Sequence, residues 1–236
     1  VNRKPVLKYY SDFRRTKYKA KFYINKKFNS RNTLKTGISS ELQTFDLLDS
    51  TYAGSQEGYR ILRNFKGDDV FSQAFIQYRH KFSEHLQVTL GMHGLYQPSN
   101  GNYSVEPRGG LKWEFTSGHT FSMGYGMHSM SVPIEISNQK ILQEDGRSTK
   151  PNTELDFMKA HHFVGGYHTK IFQKVHFRSE LYYQYITEAL VERKPGSYSL
   201  LNHGSYTTID VPALKNGGNG YNYGLEMTAE RFMDHG

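Results

Sequence analysis

The sequence predicts an all-β protein, an antiparallel sheet that forms part of a transmembrane β-barrel. Three observations support this: apolar and polar residues alternate within segments, those segments are roughly 10–13 residues long, and short and long connections follow one another. Successive side chains on a strand point to opposite faces of its sheet, so the alternation gives one apolar face and one polar face. Strands in soluble sheets average about 5–6 residues, whereas tilted strands that cross a membrane need about 9–11. Segment length therefore favours a membrane barrel.

The amino-acid composition is typical of β-strands and excludes several kinds of site and a membrane-spanning helix. The 236 residues include 18 Tyr, 15 Phe and 22 Gly, which are typical of strands and tight turns. There is no cysteine, so disulfides, thiolate metal sites and cysteine nucleophiles are excluded. The mean hydropathy is −0.70, and no apolar run approaches the roughly 20 residues of a membrane helix. Alternating barrel strands also have low average hydropathy, so these values are compatible with a membrane barrel.

The formal net charge is +8, and the basic residues are concentrated near the start of the chain. A basic balance suits nucleic acid, an anionic membrane surface or acidic ligands. The row Lys17, Lys19 and Lys21 would suit a nucleic-acid groove only with aromatic rings on its own face, and Tyr18 and Phe22 fall on the opposite face. We therefore expect a charge row that lines the lumen or the rim of the barrel, and no nucleic-acid partner.

The clearest hairpin spans residues 104–130, with the sequence SVEPRGGLKWEFTSGHTFSMGYGMHSM. Its first arm alternates as far as Phe115, and its second arm alternates again from Phe121. The link between them, Thr116-Ser117-Gly118-His119, suits a tight reversal because it is short and contains Gly.

Further segments alternate in the same way before and after this hairpin. In chain order they are residues 17–28, 33–46, 70–82, 85–96, 161–172, 175–188 and 221–230. Tight turns are expected at 29–32, 83–84, 116–119 and 172–174. Longer loops, which are the candidate ligand-binding segments, are expected at 47–69, 131–156 and 190–220. Outer-membrane barrels place short periplasmic turns on one rim and long extracellular loops on the other, so this sorting favours a meander of about nine barrel strands.

Each face of the sheet predicts one environment, because apolar positions of a barrel meet lipid and polar positions meet the lumen. The predicted lipid-facing residues are Leu86, Val88, Leu90, Met92, Leu111, Trp113, Phe121, Met123, Tyr125, Met127, Leu181, Tyr183, Leu225 and Met227. The predicted lumen-facing residues are Glu106, Arg108, Lys112, Glu114, Arg178, Glu180, Glu226 and Glu230. Residues near strand ends that suit interfacial aromatic girdles are Tyr9, Tyr10, Tyr96, Trp113, Tyr183, Tyr185, Tyr221 and Tyr223.

Several motifs, in the same order along the chain, resemble the barrel of TonB-dependent outer-membrane receptors. They are VEPRGGLKWEF at 105–115, HTFSMGYGMHS at 119–129, LDFMKAHHFVGGYHTKI at 155–171, LYYQYI at 181–186, SYSLLNHGS at 197–205 and NYGLEMTAERF at 222–232. The resemblance extends from about residue 16 onward. It is closest to Bacteroidetes-type receptors, which carry a carboxypeptidase-like regulatory domain ahead of the plug.

The resemblance implies a barrel of about 22 strands with an N-terminal plug inside it. Residues 1–236 would then be part of a single barrel domain, an interior piece of a longer chain, with the plug and the remaining strands outside it. The implied location is the Gram-negative outer membrane, and the implied activity is uptake of a small nutrient: a siderophore, glycan, peptide or cobalamin. The implied partners are outer-membrane lipid, the plug, and the TonB energy-transducing complex that acts through the plug. The lumen-facing residues would contact the plug, because so wide a barrel cannot fill its bore with its own side chains.

Other kinds of site have weaker support. His161 and His162 are adjacent, so in a regular strand they point to opposite faces and cannot chelate one ion together. No metal or other cofactor is expected. No nucleophile and base signature stands out, so no catalytic residue is assigned and an enzyme is not expected. Two alternatives stay open: a soluble β-sandwich that binds a glycan or another polymer through its aromatic face, and an outer-membrane enzyme such as a barrel lipase or protease.

Overall fold

The computed structural model describes residues 7–54, 58–142, 147–171, 175–202 and 211–231. Its main feature is one nine-stranded antiparallel sheet in which the long strands pair in chain order, β1-β2-β3-β4-β5-β6-β9-β10-β11. A second ladder, β7-β8, has two residues on each strand and lies in the connection between β6 and β9. The predicted all-β meander of nine barrel strands is confirmed.

The bounds of the strands follow the alternating segments most closely in the middle of the chain. The long strands are β1 (Tyr9–Lys27), β2 (Asn32–Gly54), β3 (Gly58–Lys81), β4 (Leu86–Gln97), β5 (Asn102–Thr116), β6 (His119–Met130), β9 (Met158–Ile171), β10 (Val175–Glu192) and β11 (Leu214–Arg231). The short elements are α1 (Ile134–Ser137), β7 (Ile141–Leu142), β8 (Ser148–Thr149) and a single 3₁₀ turn (Leu200–Asn202). None of the described helices is long and apolar enough to cross a membrane.

Local hydrogen bonds close the turns at 29–32, 83–84 and 116–119, which lie at one end of the sheet, the turn end. Asn29 Oδ1 accepts hydrogen bonds from the backbone N–H groups of Arg31 at 2.9 Å and Asn32 at 2.8 Å. In the β3–β4 turn, Ser83 Oγ accepts from two backbone N–H groups at 3.2 and 3.0 Å. Gly118 in the β5–β6 turn has φ of +76°, a conformation that a side chain would strain. These residues show why the turns could be predicted locally.

At the opposite end, the loop end, the predicted loop at 47–69 is wrong. β2 and β3 are 23 and 24 residues long, and they pair as far as Gly54 opposite Gly58. Burial still alternates there, because Leu47 and Asp49 are buried while the residues between and beside them are half-buried or exposed. Polarity no longer alternates, because the buried positions now include both apolar and charged side chains. A strand of this kind has no two-residue polarity pattern to detect.

The other two predicted loops are partly structured. The connection at 131–156 contains α1 and the β7-β8 ladder. The predicted loop at 190–220 is too long at both ends, because β10 continues to Glu192 and β11 begins at Leu214, which pairs with it. The start of β11 was missed because residues 214–220 are rich in Gly and Asn, and the end of β10 was missed because residues 189–191 are all apolar and do not alternate. The predicted turn at 172–174 lies outside the described residues.

The hydrophobic core lies at the loop end of the sheet. Its buried side chains come from the connections and from the adjoining strand ends: Ile136, Leu155, Met158, Ala189, Leu190, Leu200, Val211 and Leu214. Met158 lies four residues before His162, on the polar face of β9. The connections therefore fold over the polar face at the loop end, and this arrangement positions the candidate site.

Candidate functional site

The register of the sheet places all fourteen predicted lipid-facing residues on one face, the apolar face. One row across the strands shows this: Val88 pairs with Leu111, Leu111 with Met123, and the row continues through Gly165 to Leu181 and Leu225. Met123 is 55% exposed and Leu225 is 58% exposed, and no second sheet covers this face within the described part of the chain. The soluble sandwich would need such a cover. That this face meets lipid stays a prediction.

The eight predicted lumen-facing residues all lie on the opposite face, the polar face. Lys112, Glu180 and Glu226 share one row, with Ser122 and Gly166 between them. Glu114 and Arg178 share the next row toward the turn end, and Glu230 lies beyond it. In the described residues, Lys112, Arg178, Glu180, Glu226 and Glu230 form no ion pair. Their proposed contact with a plug stays a prediction.

Glu106 is the centre of a compact polar cluster on this face. Its side chain is 3% exposed, and its Oε2 lies 2.8 Å from His93 Nδ1 and 2.7 Å from Arg108 Nη2. Its Oε1 accepts a hydrogen bond of 2.9 Å from the backbone N–H of Ser129. A buried carboxylate is tolerated only when it is paired and hydrogen-bonded, and Glu106 meets both conditions. The Glu106 side chain of β5 therefore connects β4 and β6.

The cluster continues across the sheet through polar side chains that no sequence pattern connects with one another. Arg108 Nη2 lies 3.4 Å from His128 Nδ1, and the His128 and His162 rings meet edge to face at 5.0 Å. Gln184 then bonds His162 at 2.9 Å and accepts from Asn222 at 2.5 Å. The sequence missed this network, because only the strand register shows which polar positions become neighbours. The alternation of polarity predicted the face on which each side chain lies, but it did not predict which side chains are in contact.

Replacing Glu106 with glutamine should destabilise the full-length protein by about 1.5–3 kcal/mol, because the amide keeps the shape but loses the charge that binds His93 and Arg108. The measurement is the unfolding free energy in detergent or lipid. Glu114→Gln is the matched control, since Glu114 lies on the same face of the same strand with a side chain that is 38% exposed. Equal effects of the two substitutions would contradict the central role of Glu106.

Adjacent residues separate across the two faces of the sheet as strand geometry requires. His161 Nδ1 lies 3.0 Å from the Tyr125 hydroxyl on the apolar face, whereas His162 bonds Gln184 on the polar face. Tyr18 likewise lies opposite the lysine row of β1. The predicted girdle position of Tyr9 is wrong: its hydroxyl donates to Asp49 Oδ2 at 2.8 Å on the polar face.

A cavity of about 680 Å³ opens at the loop end between the polar face and the β6–β9 connection. It combines aromatic rings, side-chain amides and charged groups. Residues in its wall include Arg15, Phe45, Phe65, Phe71, Gln97, Glu135, Asn138 and Asn152. Arg15 Nη2 and Glu135 Oε1 form an ion pair of 2.5 Å across it, which joins β1 to the connection. The predicted ligand-binding segments 47–69 and 131–156 both contribute to this wall.

A buried arginine holds one side of this cavity in place. Arg63 is fully buried, and its guanidinium forms a salt bridge with the equally buried Asp49. The same guanidinium donates to the backbone carbonyl of Glu135 at 2.5 Å and to Gln139 Oε1 at 3.2 Å. Both acceptors belong to the β6–β9 connection. Arg63 therefore ties that connection to the β2–β3 hairpin, and sequence reasoning missed it because it assigned both segments to loops.

Lys150 adds a further contact between the connection and β3. Its ammonium lies 5.0 Å from the centroid of the Phe65 ring and 3.3 Å from Asn138 Oδ1. Burial lowers the pKa of Lys150, and the charge of Lys140 lowers it further. The ring of Phe65 is thus shared between Lys150 and the cavity wall.

Comparisons with known proteins agree with the fold. No family model matches the chain, and no curated protein matches it. Among solved structures, it is similar to the siderophore receptor PirA from Pseudomonas aeruginosa, with a TM-score of 0.67 and 12% identity over 92% of this chain and 40% of that chain. It is similar to the copper transporter OprC, with a TM-score of 0.64 and 13% identity over 95% of this chain and 36% of that one.

A third similar structure is the RagAB peptide importer in its closed-closed state, with a TM-score of 0.61 and 12% identity over 97% of this chain and 29% of that one. The chain therefore spans well under half the length of each matched protein. At these identities the likeness establishes the fold alone, a nine-stranded antiparallel meander that matches a part of each of these structures.

Proposed function

We propose that this chain is a segment of the barrel wall of a TonB-dependent outer-membrane receptor that imports a small nutrient. The observation that carries the proposal is the single sheet with an exposed apolar face and a networked polar face. The likeness to a siderophore receptor, a copper transporter and a peptide importer supports a transport role. Residues 1–236 would form one part of a single barrel domain, completed by further strands and by a plug.

The assignment of faces follows from this proposal. The apolar face would contact outer-membrane lipid, and the polar face would line the bore and contact the plug. The TonB energy-transducing complex would act through the plug, so no residue of this chain is assigned to energy coupling. The Bacteroidetes subtype rests on the motif resemblance at 105–115 and 155–171. A transport role of this kind requires no catalytic residue.

The loop-end cavity is the part of the chain proposed to contact the nutrient. Its volume of about 680 Å³ is in the range of small-molecule sites, and it combines apolar rings with a few polar groups that could fix orientation. Two of its charged side chains, Arg15 and Glu135, neutralise each other, and Lys17, Asp68 and Asp69 also line the wall. The Arg63 contacts hold the wall in one position, which would lower the cost of ordering it around a ligand.

The proposal is tested on the full-length protein in a Gram-negative host. We expect it in the outer-membrane fraction, resistant to carbonate extraction, and migrating faster in SDS gels before boiling than after boiling. Recovery in the soluble fraction without detergent would overturn the proposal and favour the soluble polymer-binding alternative.

A further inference from the structure

Two lysines and two aromatic rings form a cluster on the polar face, in the turn-end half of β1 to β3. The Lys21 ammonium lies 5.7 Å from the centroid of the Tyr23 ring and 5.8 Å from that of Phe75. The Lys35 ammonium lies 5.4 and 6.0 Å from the same two centroids. All four distances are within the range of cation–π attraction. Two cations are therefore held against one pair of rings.

The backbone makes room for this arrangement at Gly37. Gly37 lies opposite Tyr23 on one side and Phe75 on the other in the strand register. A Cβ atom there would lie 2.7 Å from Tyr23 Cβ and 2.9 Å from Phe75 Cε1, both too close. The missing side chain lets both rings cover β2. The strand register and the absence of a side chain at Gly37 thus place the two rings of the cluster next to each other.

A cavity of about 420 Å³ adjoins the cluster on the polar face. Its wall includes Lys21, Gln73, Phe75, Gln77, His93 and Arg108. These side chains supply an ammonium, a guanidinium and two amide groups that can donate hydrogen bonds. Arg108 Nε is buried and has no hydrogen-bond partner within the described part of the chain. Among the described residues no carboxylate lines the wall of this cavity. Because Glu106, just outside the wall, already pairs with Arg108, the uncompensated fixed charge of the wall is the ammonium of Lys21.

The lysines of the cluster differ from their neighbours on the same strand. Lys17 and Lys19 both pair with Glu41, at 3.5 and 3.3 Å. Within the described residues, Lys21 and Lys35 form no ion pair. Two ammonium groups close to the same rings repel each other, and an anion between them would turn this repulsion into two charge-assisted contacts.

We propose that this cluster and its cavity bind a carboxylate, and that the carboxylate belongs to an Asp or Glu of the domain that fills the bore. The inference rests on the proposed function, because it needs the polar face to surround a bore. The positive wall is complementary to an acidic side chain and would repel a basic one. Its position in the turn-end half of the strands, away from the loop-end cavity, favours a resident protein group over the imported ligand.

Zero-length carbodiimide cross-linking of the full-length protein in outer-membrane vesicles tests this. The reagent joins a lysine ammonium to a carboxylate in contact with it, forming an amide with loss of one water. Mass spectrometry should find Lys21 or Lys35 joined to an Asp or Glu outside residues 1–236. The cross-link between Lys19 and Glu41, which lie 3.3 Å apart, is the internal control for the chemistry.

The variant K21Q/K35Q should lose that cross-link and expose the bore domain to added protease. K27Q is its matched control, because Lys27 lies on the same face of β1 but outside the cavity wall. If only Lys19 and Glu41 are joined in a membrane-inserted protein, this inference is wrong while the proposed function stands. If inorganic phosphate instead shields Lys21 and Lys35 from acetylation and no cross-link forms, the site binds a free anion, and its assignment to the bore domain is overturned.

Discussion

Replacing Met123 with arginine is expected to destabilise the membrane-inserted protein by about 2–4 kcal/mol, the cost of a cation on the lipid face near the middle of a bilayer. Met123 is 55% exposed, and its neighbours along the same face of β6 are Phe121 and Tyr125. In lipid the guanidinium would lose water without gaining a partner. The measurement is the unfolding free energy of the full-length protein in lipid vesicles.

The control is the adjacent residue on the other face. Ser122→Arg places the same cation on the water-facing polar face, in the row that contains Lys112, Glu180 and Glu226, so its effect should stay within about 1 kcal/mol. Comparing the two variants distinguishes a membrane barrel from a soluble β-protein. On a water-exposed apolar face Met123→Arg would be close to neutral, and that result would contradict the membrane assignment.

Replacing Arg63 with methionine should cost about 3–5 kcal/mol, because it leaves the fully buried Asp49 carboxylate without its counter-charge. It also removes the donors to the Glu135 carbonyl and to Gln139. We therefore expect two results: a lower unfolding free energy and faster protease cleavage within residues 131–139. The second result distinguishes the anchoring of the connection from a general loss of stability.

Lys66→Met is the matched control for Arg63. Lys66 lies on the same strand and pairs with Asp46 at 3.3 Å, but its side chain is 82% exposed. A surface pair of this kind contributes at most about 1 kcal/mol, so the substitution should leave both measurements nearly unchanged. If Arg63→Met left the cleavage of residues 131–139 unchanged, Arg63 would not hold the connection in place.

Sequence reasoning worked best for strands in which each face stays in the same environment, apolar or polar, along the whole strand. β4, β5 and β6 were located to within about two residues, because their apolar and polar positions alternate without interruption. The short turns were also predictable, since Asn29, Ser83 and Gly118 act on their own backbone or on that of the next residues. These features depend on residues close together in the chain.

The same reasoning failed at the loop end of the sheet. There the connections cover the polar face, so apolar Leu47 and charged Arg63 are both buried and the pattern of polarity disappears. The loop-end part of the β2–β3 hairpin, residues 47–69, was therefore predicted as a loop, although its backbone pairs continue to Gly54. The burial of these side chains is determined by tertiary packing. It therefore cannot be read from an alternation of polar and apolar residues along the strand.

The sequence by itself determined the alternation of faces, the strand class and the local turns, because each depends on the direction of neighbouring side chains. Only the tertiary structure decided the register, and with it every contact between distant residues: Glu106 with His93, Arg63 with Asp49, and Lys21 with Phe75. The physical reason is that a strand specifies which side a residue faces, whereas backbone pairing and packing specify which residue lies next to it.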